Sequence, residues 1–411
     1  MGYKKDIFKG VSWLGAFRIV TRGMSFVRTA IIARILSPSD FGLFGIATLT
    51  LSFIEVFTET GINIFLIQQK DEADKYISTA WIVSILRGCL IALLIFGFAP
   101  LIGSFFHAEN SLLLVRLMAI VPFVRGFINP SVAKFIKDLE FHKEFYYRTA
   151  IFSVESFVTL ILVLIMQTAT ALVYAMIIGA VFETILSFFM ASPKPTFKFH
   201  KQQFKKVIQY GKWLTLAGIF DYLYQNIDNL IVGRILGTAS LGFYSMGYKI
   251  SSVPISEFSD VFSKATFPVY SKISHDKQRL LQAFYKSVGI TSLLVLPIGI
   301  VFFFIPSLIV SILLGPKWLS VAPVLKYLAL FGVLRAISNL ANGFFYSVHR
   351  QDIVTITTFC SLLGIAIPLV PLVLLWGIKG AAISAVIGSM IAYPVNIFFI
   401  YRLFYRKQPT Q

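Results

Sequence analysis

Charge is scarce in this chain. Only 14% of its 411 residues are Asp, Glu, Lys or Arg, while 57% are hydrophobic; soluble domains carry roughly 25% charged residues. That deficit excludes an ordinary water-soluble fold, and no polar stretch is long enough for a separate catalytic domain. Acidic residues are the scarcer sign, with 19 Asp and Glu against 37 Lys and Arg and a net charge of +18. Cysteine is nearly absent: Cys89 and Cys360 each lie inside an apolar run and read as packed thiols. The five histidines, His107, His142, His200, His275 and His349, fall singly in or near loops, with no metal-ligand spacing between them. The Gly-rich phosphate loop ending in Lys-Ser/Thr is missing, which argues against direct use of ATP, and no nucleophile motif is visible. No cofactor is expected. The start, Met1-Gly-Tyr-Lys-Lys-Asp, leads into a segment longer than a signal h-region and dotted with Arg, so it reads as a retained first span.

What the chain has in abundance is apolar run. A membrane helix needs about 20 mainly apolar residues, and twelve such runs appear, near 8–36, 39–66, 77–106, 111–134, 146–167, 169–191, 207–236, 239–268, 284–314, 318–346, 353–376 and 379–403. Backbone groups must be satisfied internally in hydrocarbon, so these runs are expected to be helices. A barrel would need short alternating segments, which are absent. The expected fold is an all-α integral membrane protein.

The connections alternate in charge. Lys and Arg crowd one side: Lys4, Lys5 and Lys9 in the N-terminal arm, Lys134, Lys137, Lys143 and Arg148 after the fourth run, and Lys194, Lys198, Lys201, Lys205 and Lys206 in the centre. Lys272, Lys277, Arg279 and Lys286 follow, with Arg402, Arg406 and Lys407 in the tail, whereas the opposite connections carry only Lys317 and Lys379. The positive-inside rule places both termini in the cytoplasm. The excess positive charge thereby has a structural cause, and no nucleic-acid partner is called for. The opposite loops, such as His107–Asn110 and Gln167–Thr170, are only a few residues long and leave no room for an external catalytic domain.

An offset of 200 residues lays Ala33-Arg34-Ile35-Leu36 over Gly233-Arg234-Ile235-Leu236, Gly42 over Gly242, and Trp13-Leu14 over Trp213-Leu214. The expected organisation is two six-helix halves, 1–191 and 207–411, joined by the basic linker 192–206. An even number of spans per half makes the repeat parallel, and substrates of such transporters lie near the bilayer midplane at the repeat interface.

The stretch Ile32-Ala-Arg-Ile-Leu-Ser-Pro-Ser-Asp-Phe-Gly-Leu-Phe-Gly45, followed by Glu59-Thr-Gly-Ile-Asn-Ile-Phe-Leu-Ile-Gln68, resembles the first two helices of bacterial polysaccharide flippases. These are the Wzx-type members of the multidrug/oligosaccharidyl-lipid/polysaccharide exporter superfamily. Asp138-Leu-Glu-Phe-His-Lys143 and Trp376-Gly-Ile-Lys-Gly-Ala-Ala382 resemble patterns of the same group. The resemblance covers most of the chain, although the chain stops after twelve spans where longer members continue to fourteen. It implies an undecaprenyl-pyrophosphate-linked glycan as substrate, in the cytoplasmic membrane of a bacterium or archaeon. It also implies surrounding membrane lipid and, as further partners, a polysaccharide polymerase and chain-length machinery.

Charges at membrane depth are costly, and each is a functional candidate. Arg18 and Arg22 are one turn apart in the first run, with Arg28 set off by about 80° at 100° per residue. Guanidinium groups suit phosphate oxygens through bidentate hydrogen bonds, and with the resemblance they become candidates for holding pyrophosphate. Alternatively they pair with Glu55 and Glu59 of the second run, themselves one turn apart. In the seventh run Asp221, Gln225 and Asp228 form a stripe at i, i+4 and i+7, flanked by Tyr224. Arg18 or Arg22 is expected to exchange Asp221 or Asp228 for the lipid pyrophosphate between states, which would supply the differential contacts that alternating access requires. Arg116, Arg125, Lys249 and Arg335 are candidates for lining the route. Arg87, Glu155, Glu183, Glu257 and Asp260 read as bridges or helix-end charges.

The expected activity is translocation of a lipid-linked glycan, with no enzymatic step. A cation-coupled multidrug exporter of the same superfamily is the near alternative and would call for an acidic cation site in the first half. A polytopic glycan polymerase or ligase is the distant one and would call for a large external loop.

Overall fold

The computed structural model describes the backbone of residues 20–68 and 73–404. Side chains are described throughout these segments except at 205–217, 257, 258, 260, 261, 264, 265 and 404. The chain divides into two compact units, Met1–Tyr222 and Leu223–Gln411. Among the described residues both are helical.

The first unit runs through α1 (20–35), α2 (Pro38–Phe57), α3 (Ile62–Gln68), α4 (Ala73–Phe105), α5 (Leu112–Met118), α6 (Ile120–Arg125), α7 (Ala133–Lys137), α8 (Phe141–Met166) and α9 (Ala169–Met190). Helix α10 (Lys201–Ile273) begins in the first unit and runs on into the second. The second unit continues with α11 (Lys277–Phe304), α12 (Pro306–Leu313), α13 (Ala322–Ser347), α14 (Gln351–Trp376) and α15 (Ile378–Phe404).

Among the described residues, eight helices are long and apolar enough to cross a membrane, or nine if the bent pair Glu109–Arg125 and Pro130–Lys137 is one span. The protein is therefore a multi-pass membrane protein. In the apolar window of Pro316–Ser347 56% of the residues are buried, against 17% in α11, so α13 is the more enclosed of the two. Leu93, Phe157, Leu164, Ile165 and Leu293 remain exposed on the other helices, as an apolar face turned to hydrocarbon should.

Several runs read as single spans are broken, each for a local reason. The run 39–66 stops at Phe57 and resumes at Ile62, across Gly61 at φ 63°. The run 111–134 bends by 71° around Asn129-Pro130; Asn129 caps the second piece by accepting from the Ser131 N–H at 3.0 Å. The run 284–314 breaks at Pro306, which lacks the N–H that would continue the helix. The seventh and eighth runs belong to one long element, α10, interrupted at Gly237 (φ 80°, ψ −177°), a conformation essentially reserved for glycine. Helix α10 starts at Lys201, so the last residues of the basic linker are already helical.

The start of α2 explains the Ser-Pro-Ser-Asp motif. Ser37 caps the helix, its hydroxyl accepting from the Asp40 N–H while Asp40 accepts from the Ser37 N–H at 3.0 Å, and Pro38 fills the first turn. Asp40 also accepts from the Ala169 N–H at 3.2 Å, tying α2 to the start of α9.

Small residues bring helices together where apolar attraction between them is weak. A Cβ on Gly364 of α14 would lie 3.0 Å from the Cα of Gly388 in α15. In the second unit the Ser252 and Ser259 hydroxyls of α10 donate to the Leu328 and Ala336 carbonyls of α13 at 2.8 and 2.5 Å.

Candidate functional site

The first unit holds four arginine-centred clusters. Arg28 of α1 faces α8, where its guanidinium lies 3.5 Å from the Glu155 carboxylate, donates to the Ser156 hydroxyl at 3.2 Å and sits 5.2 Å from the Phe152 ring centre. Gly179 of α9 makes the room: a Cβ there would stand 3.1 Å from Glu155 Cγ. Arg125, ending α6, pairs with Glu183 of α9 at 3.3 Å. Arg116 of α5 lies 5.1 Å from the centre of the Phe96 ring of α4.

The fourth cluster opens into a cleft of about 410 Å³, lined by Ser52, Glu55, Val56, Glu59 and Arg87. Arg87 of α4 donates to the Glu55 carbonyl at 2.9 Å and to the Glu59 carboxylate at 3.2 Å. Glu59 does not lie one helical turn beyond Glu55, because α2 ends at Phe57. It sits in the break, where its carboxylate also accepts from the Gly61 N–H at 2.8 Å. The Glu55 carboxylate accepts no hydrogen bond among the described residues, while Arg125 and Arg87 act on it through space.

In the second unit a buried network surrounds Asp228 of α10. Its carboxylate is buried, accepting from the Tyr244 hydroxyl at 2.7 Å and from the Asn229 N–H and side-chain amide at 2.7 and 3.1 Å. Residues 228 and 244 flank the break at Gly237, which lets one long element supply both partners. Arg335 of α13 donates to the Tyr248 hydroxyl at 2.8 Å and lies against the Tyr224 and Phe331 rings, 5.5 and 5.8 Å from their centres. A guanidinium on aromatic faces keeps its charge in a poorly hydrated place through cation–π attraction and a directed hydrogen bond.

The sequence candidates thus separate. Arg28, Arg125, Glu55 and Glu59 fall within first-unit clusters, and Asp228 and Arg335 within the second-unit network. The stripe expected on α10 splits: Asp228 is buried, while Asp221 and Gln225 are exposed. Arg22 and Lys249 are exposed as well. Arg18 lies outside the described residues. Glu155, Glu183 and Arg87, read from the sequence as bridges, hold those places; Tyr244 and Tyr248 were not anticipated. The repeat holds a signal for them: the 200-residue register lays Arg28 over Asp228, Phe44 over Tyr244 and Thr48 over Tyr248. A shift of 210 lays Arg116, Arg125 and Asn129 over Lys326, Arg335 and Asn339. The first offset lays charges of opposite sign over one another at Arg28 and Asp228, and the second lays charges of the same sign.

The chain is 26% identical over 411 residues to an uncharacterized membrane protein in the cps region of Klebsiella pneumoniae, covering 97% of this chain and 83% of that one. It is 22% identical to the lipopolysaccharide biosynthesis protein WzxC of Escherichia coli strain K12, covering 98% and 81%. Among solved structures, the inward closed conformation of the lipid II flippase MurJ shares its fold, with a TM-score of 0.79 at 15% identity over 94% of this chain and 87% of the other. The family model described as polysaccharide biosynthesis protein matches residues 31–323, and the chain belongs to that family.

Proposed function

We propose that the protein is a flippase that carries a polyprenyl-pyrophosphate-linked oligosaccharide across the cytoplasmic membrane by alternating access, for cell-surface polysaccharide synthesis. The observation that carries this reading is the set of arginines held among the helices of a multi-pass member of a polysaccharide biosynthesis family. Arg28 and Arg125 are matched by carboxylates, and Arg335 by a hydroxyl and aromatic rings. Embedded charges of this kind face polar space and mark pathways. The relative named WzxC and the fold shared with a lipid II flippase support the same cargo class.

In this reading Arg18, Arg22, Arg28, Arg116, Arg125, Lys249 and Arg335 serve the pyrophosphate and the glycan. Glu55, Glu59, Asp221, Gln225 and Asp228 exchange partners as the protein changes state. The polyprenyl tail stays in lipid, because hydrating so long an apolar chain costs about 0.8 kcal/mol per CH₂ group. We count twelve spans, taking α1 and the two arms of α10 with the nine above, in two halves 1–191 and 207–411 with both termini cytoplasmic. A polymerase and chain-length machinery would act on the delivered glycan.

Deleting the gene in its host tests the proposal. Lipid-linked oligosaccharide should accumulate in the cytoplasmic leaflet, with surface polymer lost and restored on re-expression. Normal surface polymer without accumulation would overturn it.

A further inference from the structure

We propose that the first-unit cleft bounded by Ser52, Glu55, Glu59 and Arg87 is a sugar subsite that accepts a neutral or amino sugar and rejects an acidic one; this rests on the flippase reading above.

The lining has the chemistry of polyol recognition. A sugar offers hydroxyl donors and acceptors on a compact ring, and a site for it needs carboxylate acceptors, a fixed donor and room. The Glu55 carboxylate keeps its acceptor capacity, since it takes no hydrogen bond among the described residues. Glu59 and Arg87 hold each other at 3.2 Å and with the Ser52 hydroxyl edge the cleft, whose volume of about 410 Å³ suits a small polar ligand. Arg87 is held in place by Nη2, which donates to the Glu55 carbonyl and the Glu59 carboxylate.

The charge balance sets the preference. Glu59 is matched by Arg87 and Glu183 by Arg125, which leaves the charge of Glu55 unmatched by an ion pair. A uronic acid would bring a second carboxylate beside it, and like charges at close range disfavour binding. A protonated amino sugar would neutralise it, and a neutral sugar would hydrogen-bond to it. A metal ion is a poorer occupant, since no group of three His, Cys, Asp or Glu side chains able to hold one occurs among the described residues.

Saturation-transfer NMR on the full chain in lipid nanodiscs, with maltotriose, the glucosamine trimer and trigalacturonate as probes, tests the preference. The expected order is glucosamine trimer, then maltotriose, with trigalacturonate at least about tenfold weaker, a factor that a charged hydrogen bond of about 1.5 kcal/mol supplies. Glu55→Gln should weaken the glucosamine trimer about tenfold and narrow the gap to trigalacturonate, in protein whose melting temperature matches the parent. Equal binding of all three trimers by the parent chain, preference for trigalacturonate, or no binding would each overturn the subsite. The wild-type comparison decides even if the variant folds poorly. These readouts need no lipid carrier and no transport, so a chain that moves lipid-linked glycan but binds the trimers alike would refute the subsite and leave the flippase reading standing.

Discussion

Tyr244 donates its hydroxyl proton to the buried carboxylate of Asp228 at 2.7 Å, joining residues on either side of the break at Gly237. Tyr244 is itself fully buried, so neither group can exchange its partner for water without the helices parting. Tyr244→Phe should leave the carboxylate one donor short and lower stability by about 1–3 kcal/mol. Asp228→Asn keeps an acceptor and should cost less. In thermal melts of purified protein the double variant should fall short of the summed losses, as coupled groups do. A Tyr244→Phe melt matching the parent would show that the hydrogen bond contributes nothing.

The break itself is open to test. A Cβ at Gly237 would meet nothing within 4 Å, so its φ of 80° isolates backbone strain from crowding. Gly237→Ala should destabilise by about 1–3 kcal/mol. Gly289→Ala, in the body of α11 and equally free of neighbours, should instead leave stability unchanged or raise it by about 0.5–1 kcal/mol. Equal melting temperatures for the two variants would contradict the conformational role given to Gly237.

The Arg28 and Glu155 pair predicts a rescue. Removing either partner leaves a charge stranded among membrane helices, a loss of about 3–5 kcal/mol for buried pairs, to be scaled down here because both side chains keep about a fifth of their surface open, 18% and 22%. Arg28→Ala and Glu155→Ala should each lower the amount of folded protein in the membrane, and the double variant should recover part of it. If Arg28 also serves the pyrophosphate, the double variant will fold and still fail to restore surface polymer. Gly179→Ala, which crowds Glu155, should reproduce the Glu155 defect in milder form.

The apolar runs made the membrane class and most spans legible, because hydrophobic length is a local property. Their interruptions were harder to read. Gly61 and the Asn129-Pro130 and Ile305-Pro306 steps sit within stretches apolar enough to pass as single helices, and only the backbone geometry separates the pieces. The expectation that Glu55 and Glu59 are helical neighbours failed for that reason. Arg28 stood out as a costly charge, yet its partner Glu155 lies on a helix far along the chain, and one-helix periodicity carries no information about such a pairing. Tyr244 and Tyr248 are amphipathic enough to pass as core aromatics until the fold sets them beside Asp228 and Arg335. The Ser37 and Asp40 cap was visible as a motif because capping is written within one turn.

Reconstitution tests the central claim most directly. Purified protein in sealed liposomes loaded with a polyprenyl-pyrophosphate-linked oligosaccharide should expose inner-leaflet glycan to an impermeant glycosidase added outside, faster than protein-free liposomes do. Glycan exposure no faster than in protein-free liposomes, with the protein folded and a cationic dye moving in its place, would contradict the account.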